Sequence, residues 1–351
     1  MAAYASGVID AAAEPESFVV RLDTGEGIHY LDWGAPEPDV ADLADPAGRA
    51  DPVAVLPPLI LVHGLSQTGW SWSPVARRLA VHTRVLAPDL RGHGLSDPTR
   101  AGYGLESLAT DMLTVLSGSG WGEGVGGAPV VVAGHGFGAM IAATMGAQSP
   151  RSVVGVALVD GGWEEMAEAT RSSADEYLAA IAEPPEVFRS MEAFLADRQD
   201  FHPPSWDHDQ ERAARAQVDQ KHLGHVGLVS RPTAIRGSVQ AMWTYDPSEV
   251  LAAVPRPLAV LVAETSADDE DARERRLALE DVVALRAAGG LPRTDVTRLA
   301  GAGHNLMRYR PAEVAEALLT LLRRAAEERV DPSAGASTST TTSADTPGGP
   351  A

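Results

Sequence analysis

One stretch, VVVAGHGFGAMIAATM at residues 130–145, constrains the fold more than any other part of the chain. Its three opening valines form a short apolar, β-branched run, which is typical of a strand covered on both faces. A glycine-rich turn, Gly134-His135-Gly136-Phe137-Gly138, follows. Small residues then recur at helical spacing, so the next helix can lie close against a sheet. The stretch therefore predicts a buried strand, a tight turn and a closely packed helix in succession.

The residue at the tip of this turn limits the chemistry that the turn can perform. A serine with glycines two residues away on either side, placed between a strand and a helix, forms a nucleophile elbow. Gly134 and Gly138 stand at the two flanking positions, but the central residue is Gly136, which has no side chain. The chain also contains no cysteine that could replace the serine. The sequence thus predicts the shape of the elbow without its nucleophile.

Strands and helices alternate on both sides of this turn. Such alternation predicts an α/β fold, in which a mostly parallel central sheet carries helices on both faces and ligands bind beyond the carboxyl ends of the strands. The loops at His63, Gly136 and His304 each follow a predicted strand, so we expect them to meet at one edge of the sheet.

Between residues 163 and 250 the strand pattern stops, and helical segments broken by prolines predict an all-helical insertion. An irregular surface stretch is expected at 35–58. The predicted order is a flexible N-terminus at 1–16, a first core part at 17–162 that opens with a hairpin at 17–33, the insertion at 163–250, a second core part at 251–329 and a disordered tail at 330–351.

The charge and the cysteine content exclude several classes of function. The net charge is −20, which argues against nucleic acid or an anionic membrane surface as a partner, because both are bound through basic patches. The lack of cysteine excludes disulfides and thiolate metal sites. The first residues show no secretory signal, and no apolar run is long enough to span a bilayer. We therefore expect a cytoplasmic location.

Four stretches carry a resemblance to a known family. They read LILVHGLSQTGWSW at 59–72, APDLRGHGLSD at 87–97, VVVAGHGFGA at 130–139 and GAGHNLMRYRPAEVAEALL at 301–319. In this order and at this spacing the chain resembles the α/β-hydrolase superfamily over roughly residues 17–329. The resemblance implies that a nucleophile, an acid and a histidine follow one another along the chain. It also implies that the helical insertion is a cap over the site.

The resemblance assigns the site residue by residue. His304, in a glycine-flanked loop after the last strand, matches the family histidine, and Gly136 occupies the nucleophile position. The backbone N–H groups of Leu65 and Phe137 match the oxyanion hole, whose donors point to where negative charge develops. This part of the site consists of main chain and survives the loss of the serine.

The acid that orients His304 is open at this stage. Asp268, in the loop after the strand at 258–263, fits the family position best, and Asp269 and Glu264 are near alternatives. Some members use instead the strand end that Asp160 occupies here. An aspartate at that position is equally well interpreted as a cap of the following turn.

The resemblance also predicts an apolar pocket for a small molecule. Its expected lining is His63, Ser66 and His135 from the loops and Trp163 and Trp243 from the cap. The histidines of the cap match no zinc spacing, so we expect neither a metal nor a cofactor.

Three hypotheses account for the glycine. The first is an enzyme that hydrolyses a small apolar ester, amide or related carbonyl compound, with His304 as general base and no covalent intermediate. The second is a binding or interaction protein that has lost catalysis. The third is a serine hydrolase in which glycine is an engineered replacement. The first is our leading interpretation.

Overall fold

The computed structural model describes residues 14–35, 56–120, 129–220, 224–264 and 270–330. Most of the predicted flexible N-terminus, irregular stretch at 35–58 and disordered tail falls outside these ranges. Asp268 and Asp269 also lie outside the described residues. Within the described ranges, no helix is long and apolar enough to cross a membrane.

An eight-stranded sheet forms the centre of the molecule, with strand order β1-β2-β4-β3-β5-β6-β9-β10. The predicted hairpin is present, because β1 and β2 pair antiparallel around a turn at Gly25. Strand β2 also pairs antiparallel with β4, and every other pairing is parallel. The strands are β1 Glu16–Arg21, β2 Gly27–Asp32, β3 Leu59–Val62, β4 Val85–Pro88, β5 Val130–His135, β6 Val153–Val159, β9 Leu258–Glu264 and β10 Thr294–Ala300.

Helices cover both faces of the sheet, as the alternation of strands and helices predicts. In β3, Ile60 and Val62 pack into one apolar cluster and Leu59 and Leu61 into another, because successive strand side chains point to opposite faces. The first cluster includes residues of α2, α3, α9 and α10, and the second includes residues of α1, α11 and α12. The core helices are α1 Ser73–Ala80, α2 Leu105–Gly118, α3 Phe137–Gln148, α9 Pro247–Ala252, α10 Glu270–Ala288, α11 Leu306–Tyr309 and α12 Pro311–Val330.

The insertion between β6 and α9 is mostly helical, but the expectation that it is all-helical is wrong. Two short strands, β7 Val218–Gln220 and β8 Val226–Leu228, pair antiparallel within it. Val218 and Val226 pack with Phe194 in a small separate apolar cluster, which stabilises this ribbon. The helices of the insertion are α4 Met166–Thr170, α5 Ala174–Ala180, α6 Met191–Asp200, α7 His208–Ala216 and α8 Pro232–Trp243. We call the region from α4 to α8 the cap.

A buried polar network orders the loop that follows β4. Asp89 is 1% exposed and accepts hydrogen bonds from the backbone N–H groups of Gly69 and Leu95, and it also contacts Nδ1 of His29 at 2.8 Å. The backbone N–H of Leu90 donates to Nε2 of His63 at 2.9 Å. His63 therefore joins the loops after β3 and β4.

His93 in this network makes folding stability depend on pH. Burial lowers its pKa to about 3, from an ordinary value of 6.5. Its Nε2 is buried without a partner among the described residues. Below pH 6.5 the unfolded chain binds a proton at His93 that the folded chain does not, so stability falls with pH until about pH 3.

We expect His93→Phe to reduce this acid sensitivity. Between pH 7 and pH 5 the wild-type protein should lose about 2 kcal/mol more of its free energy of unfolding than the variant does. Phenylalanine also places an aromatic ring there but cannot be protonated. Among the hydrogen bonds, it loses only the contact between Nδ1 and the Arg91 carbonyl oxygen, at 3.2 Å. Urea unfolding at the two pH values measures the difference. Equal losses in the two proteins would show that His93 does not cause it.

Candidate active site

The turn between β5 and α3 has the geometry of a nucleophile elbow. Gly136 has φ 53° and ψ −114°, a backbone conformation that is strained for any residue with a side chain. Its flanking glycines allow close approach of main chain. A Cβ on Gly134 would lie 1.9 Å from the Gly138 carbonyl oxygen, and one on Gly138 would lie 2.4 Å from that of Val62. The turn is therefore kept by steric constraints that do not depend on a serine.

His304 faces the tip of this turn. A Cβ built on Gly136 would lie 3.2 Å from Nε2 of His304. The opposite ring nitrogen, Nδ1, lies 2.7 Å from Oδ2 of Asp160. The imidazole thus has a carboxylate behind it and the elbow in front of it, which is the relation that a general base and its orienting acid require.

Asp160 is the carboxylate that contacts His304 among the described residues. It follows the last residue of β6, has φ 49°, and is 3% exposed. Its second oxygen, Oδ1, accepts from the Ala263 N–H at 2.9 Å and from Nη2 of Arg275 at 3.0 Å. Burial alone would raise the pKa of Asp160, but the hydrogen bond with His304 and the charge of Arg275 outweigh it and hold the pKa below its ordinary value.

The other acids considered from the sequence have different positions. Glu264 ends β9 and pairs with Arg298 at 3.1 Å. Asp268, the preferred sequence candidate, lies outside the described residues, as does Asp269. Asp160 was the remaining alternative, and its contact with His304 makes it the acid that the described geometry supports.

Arg275 and Glu164 extend this cluster, and neither was predicted from the sequence. Nε of Arg275 lies 3.1 Å from each carboxylate oxygen of Glu164, so one guanidinium serves two carboxylates. Burial raises the pKa of Glu164 although Arg275 opposes the change. The guanidinium also lies 5.1 Å from the centre of the Trp163 ring.

We expect Arg275→Met to destabilise the fold by about 3 kcal/mol, because it leaves two buried carboxylates without their shared cation. Adding Glu164→Gln should recover part of that loss, since only Asp160 then remains charged. Urea unfolding of the single and double variants measures both effects. A loss in Arg275→Met that Glu164→Gln does not relieve would contradict the shared-cation interpretation.

His135 and Gln67 connect the histidine loop to the elbow and to the loop after β3. Burial lowers the pKa of His135 to about 3, so the ring is neutral near pH 7 and carries one N–H, which the shorter contact assigns to Nε2. This N–H donates to the His304 carbonyl oxygen at 3.0 Å. Nδ1 lies 3.2 Å from Oε1 of Gln67, and this is a contact between two acceptors, not a hydrogen bond. The side chain of Gln67 donates to Oδ1 of Asn305 at 2.8 Å and so joins the loop after β3 to the histidine loop.

A cavity of about 640 Å³ opens over Gly136 and His304. Leu65 and Phe137, whose N–H groups were predicted to form the oxyanion hole, both border it, as do Ser66 and His135. Cap residues form the opposite wall. The apolar part of this wall is Met166, Tyr177, Ile181 and Met242.

Three of the five predicted pocket residues lie elsewhere. His63 is fully buried beneath the loops. Trp163 is 1% exposed and lies behind Arg275 rather than against the cavity. Trp243 packs on Tyr177 and donates its indole N–H to the Ser172 carbonyl. Tyr177, against which Trp243 packs, lines the cavity.

The model of the alpha/beta hydrolase family matches residues 59–317. The chain belongs to this family. Over 85 residues, the chain is 36% identical to a soluble epoxide hydrolase of Corynebacterium sp. strain C12, and this match covers 24% of the chain and 28% of the relative. Over 113 residues, it is 33% identical to lipase LipV of Mycobacterium tuberculosis, and this match covers 32% of the chain and 39% of the relative. The matches thus span well under half of either relative.

Solved structures of hydrolases share the fold. That of E-2-(acetamidomethylene)succinate hydrolase superposes with a TM-score of 0.66 and 20% identity, covering 88% of this chain and 100% of the other. The thioesterase domain from the curacin biosynthetic pathway superposes with a TM-score of 0.60 and 22% identity, covering 87% and 99%. The relatives and structural neighbours described here are hydrolases.

Proposed function

We propose that this protein hydrolyses a small, largely apolar ester, amide or related carbonyl compound without forming a covalent intermediate. The observation that carries the proposal is the arrangement of Asp160 and His304, with Nε2 aimed at the tip of the elbow where Gly136 stands. A base in this position and orientation has chemical use only if something over Gly136 gives up a proton.

In the proposed reaction, a water molecule over Gly136 takes the part of the missing hydroxyl. His304 accepts a proton from this water at Nε2 while Nδ1–H donates to Asp160. The new C–O bond forms at the substrate carbonyl, and the backbone N–H groups of Leu65 and Phe137 stabilise the oxyanion. His304 then returns the proton to the leaving oxygen or nitrogen as the bond to the carbonyl carbon breaks. The His304 side chain is 60% exposed, so water can reach it.

A second candidate function is binding of a small molecule without turnover. Gly136 itself favours this alternative, because the central residue of the elbow has no reactive group. A binding protein would keep its ligand affinity when the base is removed, whereas the proposed enzyme would lose its rate.

The experiment is hydrolysis of nitrophenyl esters of short acids by the purified protein and by its His304→Ala variant. We expect a measurable rate that falls at least a hundredfold in the variant, which is the usual size of a general-base contribution. Intact-mass measurement during turnover should detect no acylated protein. No rate above background, or a rate that His304→Ala leaves unchanged, would overturn the proposal in favour of binding. An acyl adduct would overturn its non-covalent step.

A further inference from the structure

A second cavity in the cap adjoins the catalytic one. It has a volume of about 540 Å³ and lies between α5, α8 and the β8 strand. We call it the cap groove. Most of the side chains along it are apolar. They are Leu178, Ile181, Ala182, Phe188, Leu228, Pro232 and Ile235.

The cap groove and the catalytic cavity share part of their walls. Ser66, Ile181 and Glu183 line both. Ile181 is 36% exposed although it is a large apolar side chain. A largely apolar groove that remains open to solvent and adjoins a candidate catalytic site is a candidate ligand-binding groove.

The two charged side chains that line the cap groove are paired. Glu183, which also lines the catalytic cavity, is paired with Arg198, and Arg236 lies 3.5 Å from Asp175. Ser230 also lines the groove, and its buried hydroxyl has no partner among the described residues. Both charged groups of the groove therefore already have counterions, and its apolar side chains suit a hydrocarbon.

A third cavity is an alternative to the cap groove for a chain that leaves the catalytic cavity. It has a volume of about 220 Å³ and shares Leu65, Ser66, Gln67, Glu183 and Asn305 with the catalytic cavity. Arg198, Arg308 and Gln210 are part of its lining. It is smaller and carries two guanidinium groups, so an alkyl chain that leaves the catalytic cavity gains more by entering the cap groove.

We propose that the substrate carries a hydrocarbon chain that runs from its carbonyl, over Gly136, past Ile181 and into the cap groove. The inference rests on the proposed function for the position of the carbonyl, and it defines the substrate class as alkyl or acyl compounds with a tail too long for the catalytic cavity alone. The cap would thus select substrates by the length of an apolar chain.

Binding of linear methyl ketones tests the inference without any turnover. The probes are butan-2-one, hexan-2-one, octan-2-one and decan-2-one, titrated below their solubility limits and followed by two-dimensional NMR. We expect affinity to rise along the series by up to about fourfold for each added methylene, the limit for full burial. An affinity that does not change with chain length would overturn the inference.

Two groove-filling variants locate the chain. Ile235 and Thr233 line the cap groove but not the catalytic cavity. In Ile235→Trp we expect decan-2-one to bind at least tenfold more weakly and butan-2-one to bind within twofold of its original affinity. Thr233 is exposed, so Thr233→Trp provides the same test if the first variant does not fold. The matched control is Leu285→Trp, at a 40% exposed position of α10 outside the groove.

The outcomes separate this inference from the proposed function. Loss of the chain-length dependence in a groove-filling variant but not in Leu285→Trp supports the cap groove as the chain site, even if ester hydrolysis is absent. A chain-length dependence that survives both groove-filling variants overturns the inference, even if hydrolysis requires His304.

Discussion

Gly136→Ser is expected to raise hydrolysis of short nitrophenyl esters by about a thousandfold or more. Removing the nucleophile of a serine protease costs on the order of 10⁶ in turnover, and the reverse change supplies the missing group to a base that is already in position. The new Cβ would lie 3.2 Å from Nε2 of His304, a tight contact that requires the imidazole to move back by a few tenths of an ångström, and the hydroxyl then stays within its reach. The variant should also form an acyl adduct that intact-mass measurement detects.

The same substitution should lower stability. Gly136 has φ 53°, and a side chain in such a conformation costs about 1–3 kcal/mol. Gly136→Ala is the matched control, because it adds the same Cβ and the same strain without a hydroxyl. We expect the two variants to lose similar stability in urea unfolding, and only the serine variant to gain activity. A serine variant that folds and gains no activity would mean that the remaining site is not arranged for acyl transfer.

The fold was predictable because it depends on patterns that are local in the sequence. The uninterrupted apolar run in β3 marks a strand covered on both sides. Its Ile60 and Val62 pack on one face, and Leu59 and Leu61 pack on the other. The turn at Gly136 was equally predictable, since a Cβ at Gly134 or Gly138 would collide with main chain. The β7–β8 ribbon was missed because its strands of three residues are too short to show a period.

The choice of acid was not predictable, because it depends on which strand end lies nearer to His304. Asp160 follows β6 and residues 265–269 follow β9, and these neighbouring parallel strands end at the same edge of the sheet. Sequence spacing cannot rank two such positions. Arg275 and Glu164 are separated by 111 positions, so no local pattern connects them. Their pairing follows from the packing of α10 beside the segment after β6.

Burial explains why three of the predicted pocket residues do not border the cavity. A tryptophan next to a predicted site is expected to line the pocket. Trp163 and Trp243 instead pack most of their surface against apolar residues of the core and the cap. His63 follows a strand, as Gly136 does, yet its ring turns inward to accept the Leu90 N–H. A sequence reports which residue follows a strand and does not report whether its side chain points into the cavity or beneath it.

Asp160→Asn is expected to reduce His304-dependent hydrolysis by about 10³- to 10⁴-fold. The corresponding change in a serine protease leaves the geometry intact and fixes the wrong imidazole tautomer, at a cost of about 10⁴ in kcat. Here an asparagine would still accept from the Ala263 N–H through its oxygen, while its NH₂ group would donate to Nδ1 of His304. Nε2 would then carry the proton and could not act as a base.

The effect of Asp160→Asn on the hydrolysis rate is best measured in the Gly136→Ser background, where the rate is high enough for a large loss to be quantified. Asp268→Asn in the same background is the comparison, because Asp268 is the position that the family pattern favours for the acid. We expect it to keep at least half of the activity, and 15N NMR of the imidazole should detect a changed tautomer only in Asp160→Asn. If Asp268→Asn abolished hydrolysis and Asp160→Asn did not, the contact between Asp160 and His304 would be structural, and the acid would lie in the loop after β9.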